Sequence, residues 1–328
     1  MSLLAWPVAV WLPDYRAVLL LMAVKGVGST IMTHILAEHP YRWAIHRTFI
    51  IRMLRFGWPL LLNGFLMFGV FQGDQFLIGH YYSMAELGTY AAASSLAMAP
   101  SFIFGRILSS LMLPIMSQVQ SDPDQFRKRY QTCIQTVAAF SAWYAVATIF
   151  AAESWMRVAY GNKYTGAGII LAWLSASNSF RILRLAPAIA ALAKADSQNQ
   201  MKSNILRLVA LLPALWFAVN AKPVWMIAGT GLLGESFACF YSFWRLKNRD
   251  GVPWAANLLA VGMTILAICA SAAASTLIQE WSLFWSLPTA ALVGAFVGVG
   301  ALVLFPDSRR EFFVYLHKRK NKGSNFVV

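Results

Sequence analysis

Stretches of roughly twenty apolar residues recur along the whole chain, the length that crosses a hydrocarbon layer about 30 Å thick as an α-helix. They fall at about 17–37, 57–80, 87–117, 131–153, 165–193, 204–220, 224–244, 255–278 and 283–305, with a partial stretch at 2–12. This pattern constrains the fold more than any other feature. In lipid, backbone polar groups are satisfied only within helices or a closed barrel, and no segment shows the in-out alternation of barrel strands. The sequence therefore predicts an all-α fold, a polytopic transmembrane helix bundle of about nine full spans plus a partial N-terminal one. Composition agrees. Of 328 residues, 59% are hydrophobic and 12% charged, against about 25% charged in a soluble domain.

The segments between spans carry a charge asymmetry. On one side lie Arg42, Arg47, Arg52 and Arg55, then Arg127, Lys128 and Arg129, then Lys194, Lys202 and Arg207, then Arg245, Lys247 and Arg249. The tail adds Arg309, Arg310, Lys318, Arg319, Lys320 and Lys322 to that side, while the other side has only Arg16, Arg157, Lys163 and Lys222. By the positive-inside rule the 38–55 segment, the 119–130 loop and the C-terminus are expected in the cytoplasm. The net charge of +14 is then mostly topological and calls for no nucleic acid partner. The basic tail could also touch anionic lipid headgroups.

Several motifs look chemical by letter alone. "GTGLLG", with Gly229, Gly231 and Gly234, lies inside an apolar span with no strand before it, so close helix packing is expected rather than dinucleotide binding. Gly294 and Gly298 form a GxxxG pair of the same kind. His34 and His39 flank a span edge without a third ligand, and Cys133, Cys239 and Cys269 have no CxxC spacing. They read as small apolar residues rather than a disulfide or zinc framework. No catalytic triad, carboxylate pair or P-loop is present, so the chain is expected to be no enzyme, with no cofactor and no metal.

The stretch from "THILAEHPYRW" through "LRFGWPLL", "GDQFLIGHYY", "LGTYAAASSLA" and "LMLPIMSQVQSDPDQFRKRY" resembles the polysaccharide transport family of lipid-linked oligosaccharide flippases. That family belongs to the multidrug/oligosaccharidyl-lipid/polysaccharide exporter superfamily. "RVAYGNKYTGAGIIL" resembles the family's turn into its next helix, and the similarity runs from about residue 30 to 245. Family members usually carry a basic residue where this chain has Gln75. The resemblance implies two lobes, of which residues 1–37 would be the remnant of the first and 38–55 the cytoplasmic linker. Residues 56–306 would be the second lobe with extra C-terminal helices, and 307–328 a basic cytoplasmic tail. The expected function is a flippase in the bacterial inner membrane, moving an undecaprenyl-diphosphate-linked oligosaccharide for lipopolysaccharide, exopolysaccharide or capsule assembly. Polysaccharide polymerase and chain-length proteins are the expected partners beside the lipid bilayer. A drug/cation antiporter of the same superfamily and a truncated non-transporting remnant are the alternatives.

An ionisable side chain within a span costs about 2.5–3.5 kcal/mol on insertion scales, so it usually meets a cavity or a partner. In "SNSFRILRLAP" (Ser177–Pro187), Arg181 and Arg184 are three apart and share a helix face. A guanidinium fork matches phosphate oxygens, so Arg181 and Arg184 are expected to hold the cargo's pyrophosphate, with Arg106 as a further contact. The plainer reading pairs them with Asp74 or Glu235, or with backbone carbonyls, so that they only fix the bundle. Asp74 is the candidate coupling-ion site. Glu235 shares that candidacy on a span expected further from the cavity, and Lys25 reads as an interhelical contact. Basic residues outnumber acidic ones within the spans, which favours an anionic cargo over the antiporter's cations.

Overall fold

The computed structural model describes residues 16–36, 46–252 and 254–277, and of 287–300 all but 291, 296, 298 and 299. The partial span at 2–12, His39, Arg42, Gly298 and the tail from 307 lie outside the described residues. The described residues are helical, with no strand among them. Two compact units divide the chain at Leu54 and Arg55.

The first unit holds α1 (Arg16–Ile35) and the first turns of α2 (Arg47–Tyr81). Within α1 the Ser29 and Thr30 hydroxyls donate back to the Gly26 carbonyl, so these polar side chains satisfy themselves on their own helix. Lys25 lies exposed on α1.

The second unit continues with α3 (Met84–Gln118), α4 (Pro123–Ile149), α5 (Ala152–Tyr160), α6 (Gly168–Leu183) and α7 (Leu185–Ala193). Then come α8 (Ser197–Val209), α9 (Leu211–Val219), α10 (Val224–Asp250) and α11 (Trp254–Leu277), and the described residues of 287–300 are helical as well. Local signals set these boundaries. Ser83 and Glu86 form a capping box that starts α3. Asp122 accepts from the Asp124 and Gln125 amides with Pro123 just inside α4. Gly251, at φ 66°, ends α10 in the left-handed conformation that glycine adopts without strain.

Five of the described helices are long and apolar enough to cross a membrane: α2, α3, α4, the α8–α9 pair and the 257–276 part of α11. The span expected at 165–193 is broken at Arg184 into α6 and α7, and the one expected at 204–220 begins earlier, at Ser197, and breaks at Ala210. Proline explains both breaks. Pro187 and Pro213 have no N–H for the carbonyls of Leu183 and Val209 four residues back. In α3 the helix runs on through Pro100, and the Tyr144 hydroxyl donates to the nearby Ala97 carbonyl at 2.7 Å.

α6 is the central element, packed against α3, α4, α5 and α10, while α4 pairs with α11 and α8 with α10. Its residues divide into layers. Ile170, Leu171 and Leu174 join one apolar cluster with Tyr90, Ile78 and Ile227. Phe180, Ile182 and Leu183 join another with Tyr130, Met116 and Phe243. Between them the buried run Ser175–Ser179 is mostly polar. The same order holds on α10, where Glu235 falls between Ala228 and Cys239. A polar layer is thus sealed between two apolar ones.

Candidate functional site

Glu235 is the centre of that polar layer. It is 2% exposed, and Arg181 of α6, Arg184 at the α6–α7 break and Arg207 of α8 converge on it. Arg181 Nε donates to Oε1 at 2.7 Å, Arg207 Nη2 closes on the same oxygen, and Arg184 Nε stands 3.8 Å from Oε2. Counting 1.5 Å per residue puts Glu235 about 17 Å along α10, and Arg181 and Arg207 at comparable depths in their spans. The cluster therefore lies near the middle of α10 and of the α6–α7 and α8–α9 pairs.

Neutral side chains aim the arginines. Asn178, one helical turn before Arg181, accepts from its Nη1 at 3.0 Å and is held by the Leu174 carbonyl through its own amide. Asn204 does the same for Arg207 at 2.8 Å and donates to Asn63 Oδ1 on α2 at 2.6 Å. The Phe71 ring lies beneath both guanidiniums, with Arg181 Cζ at 4.9 Å and Arg207 Cζ at 5.6 Å from its centroid. Its π-face offsets some of the repulsion between two like charges.

Close backbone approach makes the constellation possible. A Cβ on Gly234 would sit 2.8 Å from Ala210 Cβ and 2.9 Å from the Arg207 carbonyl oxygen. Only glycine lets α10 come near enough to α8 for Glu235 to meet Arg207. The "GTGLLG" run thus serves helix packing, as its place inside α10 requires.

The charges do not balance. Three guanidiniums face one carboxylate, and Arg184 Nε, Arg207 Nε and Nη2, and Glu235 Oε2 are all buried without a hydrogen bond. A small cavity of about 40 Å³ opens beside the cluster, lined among others by Phe71, Asp74, Tyr90, Asn178, Arg181, Arg207 and Glu235. Asp74 accepts a hydrogen bond from Tyr90 at 2.9 Å on its wall.

The residues singled out in the sequence are thus partly assembled. Arg181, Arg184 and Glu235 come together, in the carboxylate pairing that was the plainer reading, and Arg181, Asp74 and Glu235 line one cavity. Glu235 lies at this cavity rather than away from it. Arg106 is exposed on α3 and is not among the lining residues. Arg207, counted with the basic loop residues of the cytoplasmic side, is instead 5% exposed inside the cluster. The correction has a physical reason. α8 is inverted in polarity, with Asn199, Ser203, Asn204 and Arg207 buried at positions that recur every four residues or so, and mean hydropathy does not tell which face of a helix points inward. That four-residue recurrence was the available signal.

The sequence model of the family described as polysaccharide biosynthesis protein matches residues 1–168, half of the chain. Asp74, Tyr90 and Arg106 fall inside the match, and the arginine cluster with Glu235 lies beyond it. No curated protein and no solved structure matches the chain.

Proposed function

The chain belongs to the polysaccharide biosynthesis protein family, and from that membership in polysaccharide synthesis or export we propose that it is a transporter rather than an enzyme. In this reading it is a flippase of the bacterial inner membrane that carries an undecaprenyl-diphosphate-linked oligosaccharide across the bilayer for surface polysaccharide assembly. The basic loops and the C-terminus face the cytoplasm, following the charge asymmetry of the loops.

One observation carries the proposal: three arginines converging on one buried carboxylate near mid-helix, beside a cavity whose other acidic residue is Asp74. Buried charge without compensation is strongly destabilising, and intramembrane charge commonly marks a transport path. An excess of guanidinium is complementary to an anion and repels the cationic cargo of a drug antiporter. Arg181 and Arg207, aimed by Asn178 and Asn204, bind diphosphate oxygens through their forks while the lipid tail stays in the bilayer. Arg184 reinforces the field from behind, and the site does without Arg106. Asp74, bound by a neutral tyrosine, is the better candidate for a coupling ion or proton than Glu235, which three cations already hold.

Complementation of polysaccharide export, with protein level quantified alongside, tests this. Arg181→Lys and Arg207→Lys keep the charge and lose the fork, so export should fall sharply at normal protein level. Undiminished export from both would remove the headgroup reading.

A further inference from the structure

Glu235 stands where an anionic ligand would. A carboxylate and the edge of a phosphate offer an arginine the same pair of oxygens, and Glu235 takes the Arg181 Nε bond at 2.7 Å and the Arg207 contact that such a ligand would take. Yet one planar carboxylate cannot align with three forks. Its Oε2 and the facing nitrogens of Arg184 and Arg207 stay buried without hydrogen bonds. A phosphate group carries oxygens in three directions and a diphosphate carries more, which suits three converging donors better than the present occupant does. The adjoining cavity of about 40 Å³ has room for a few waters. A phosphate can use the arginines only if the carboxylate leaves.

We propose that Glu235 is an internal stand-in for anionic cargo: it holds the arginine cluster closed between loads, and a phosphate or diphosphate group displaces it. This rests on the reading of the cargo as a lipid-linked diphosphate. The empty protein needs such a group, because three guanidiniums left together in the membrane interior would repel one another. Displacement also has a mechanical consequence. Glu235 ties α10 to α6 through Arg181 and to α8 through Arg207, so loading removes the ionic ties between α10 and both neighbours. At this level the backbones approach at Gly231 beside Ser177 and Gly234 beside Ala210, and further along α10 Ser242 stays hydrogen-bonded to Ser203 and Asn199 of α8. Return of Glu235 then expels the anion, which converts tight binding into turnover.

The test is a titration of the purified full chain with inorganic pyrophosphate, read by calorimetry and by melting temperature. A cluster open about a tenth of the time binds about tenfold more weakly than an always-open one. Glu235→Gln, which keeps the side-chain shape and abolishes the competing charge, should therefore bind pyrophosphate about tenfold more tightly than wild type or better. This variant should also melt lower in plain buffer and recover in pyrophosphate but not in chloride of equal ionic strength, a readout that survives partial misfolding. Wild-type binding with no gain and no anion-specific recovery in Glu235→Gln overturns the stand-in role and leaves the anionic cargo standing. Absence of binding to either protein removes both. In a second arm, a short-chain polyprenyl diphosphate in the same micelles separates the sources of the ligand. Tighter binding than pyrophosphate assigns the cluster to a lipid headgroup. Weaker binding assigns it to a free diphosphate, keeping the stand-in role and overturning the flippase reading.

Discussion

At the scale of single residues, the partners of the central ion cluster are unequal. Removing Arg184 still leaves Glu235 with Arg181 and Arg207, whereas removing Glu235 leaves two buried arginines and one half-buried one without their nearest anion. Breaking a buried ion pair by deleting one partner costs about 3–5 kcal/mol. Glu235→Ala should therefore lower the melting temperature of the detergent-solubilised protein severely. Arg184→Met, which removes an excess charge and keeps an apolar stem, should change it little or raise it. The reverse order would mean that the arginines are compensated by groups other than Glu235. Arg181 and Arg184 were legible in the sequence because they interrupt an apolar run. Arg207, Asn204 and Asn63 were not, since amides and a charge near a span boundary read as loop polarity until the helix face they share is known.

At the scale of elements, glycine sets how near α10 comes to α8. An alanine at 234 would press on the Arg207 carbonyl, which is backbone and cannot rotate away, and overpacking of this kind costs about 1–3 kcal/mol. A Cβ at Gly262 on α11 meets nothing within 4 Å. Gly262→Ala should be neutral or stabilising by about 0.5–1 kcal/mol, while Gly234→Ala should destabilise and weaken anion binding together. Thermal unfolding of the two variants separates close approach from mere helix propensity. The turn between α7 and α8 carries a second dependence, on pH. Asp196 accepts two hydrogen bonds from Arg245, at 2.7 and 3.0 Å, and is paired with Arg249 at 3.0 Å. Burial pushes its carboxyl up, but the Arg245 hydrogen bonds and the two positive charges outweigh that and hold it below the ordinary carboxylate range. The stabilisation is complete above the unfolded value of about 3.9 and is lost as pH falls through the lower folded value. The stability difference between wild type and Asp196→Asn should thus be constant near neutrality and close below about pH 4. A difference that persists at lower pH would show that the side chain acts there by shape alone.

At the scale of the whole molecule, the apolar periodicity gave the helical bundle and the approximate limits of its spans, because lipid leaves the backbone few alternatives. It did not give the breaks at Arg184 and Ala210, which depend on where a proline falls relative to a carbonyl four residues earlier. Nor could hydropathy show that helices with little net amphipathicity stack into apolar, polar and apolar layers, with Ser175–Ser179 of α6 level with Glu235 of α10. That layering is a property of α6 and α10 packed together, and the candidate site exists only because of it. The central claim is that this buried excess of arginine carries an anionic lipid headgroup across the membrane. Its most direct test is transbilayer movement of a fluorescent undecaprenyl-diphosphate oligosaccharide in proteoliposomes, comparing the wild-type chain with Arg181→Gln/Arg207→Gln at equal reconstituted protein. The account predicts movement above that of protein-free vesicles with wild type and none with the double variant; equal movement by the two proteins would contradict it.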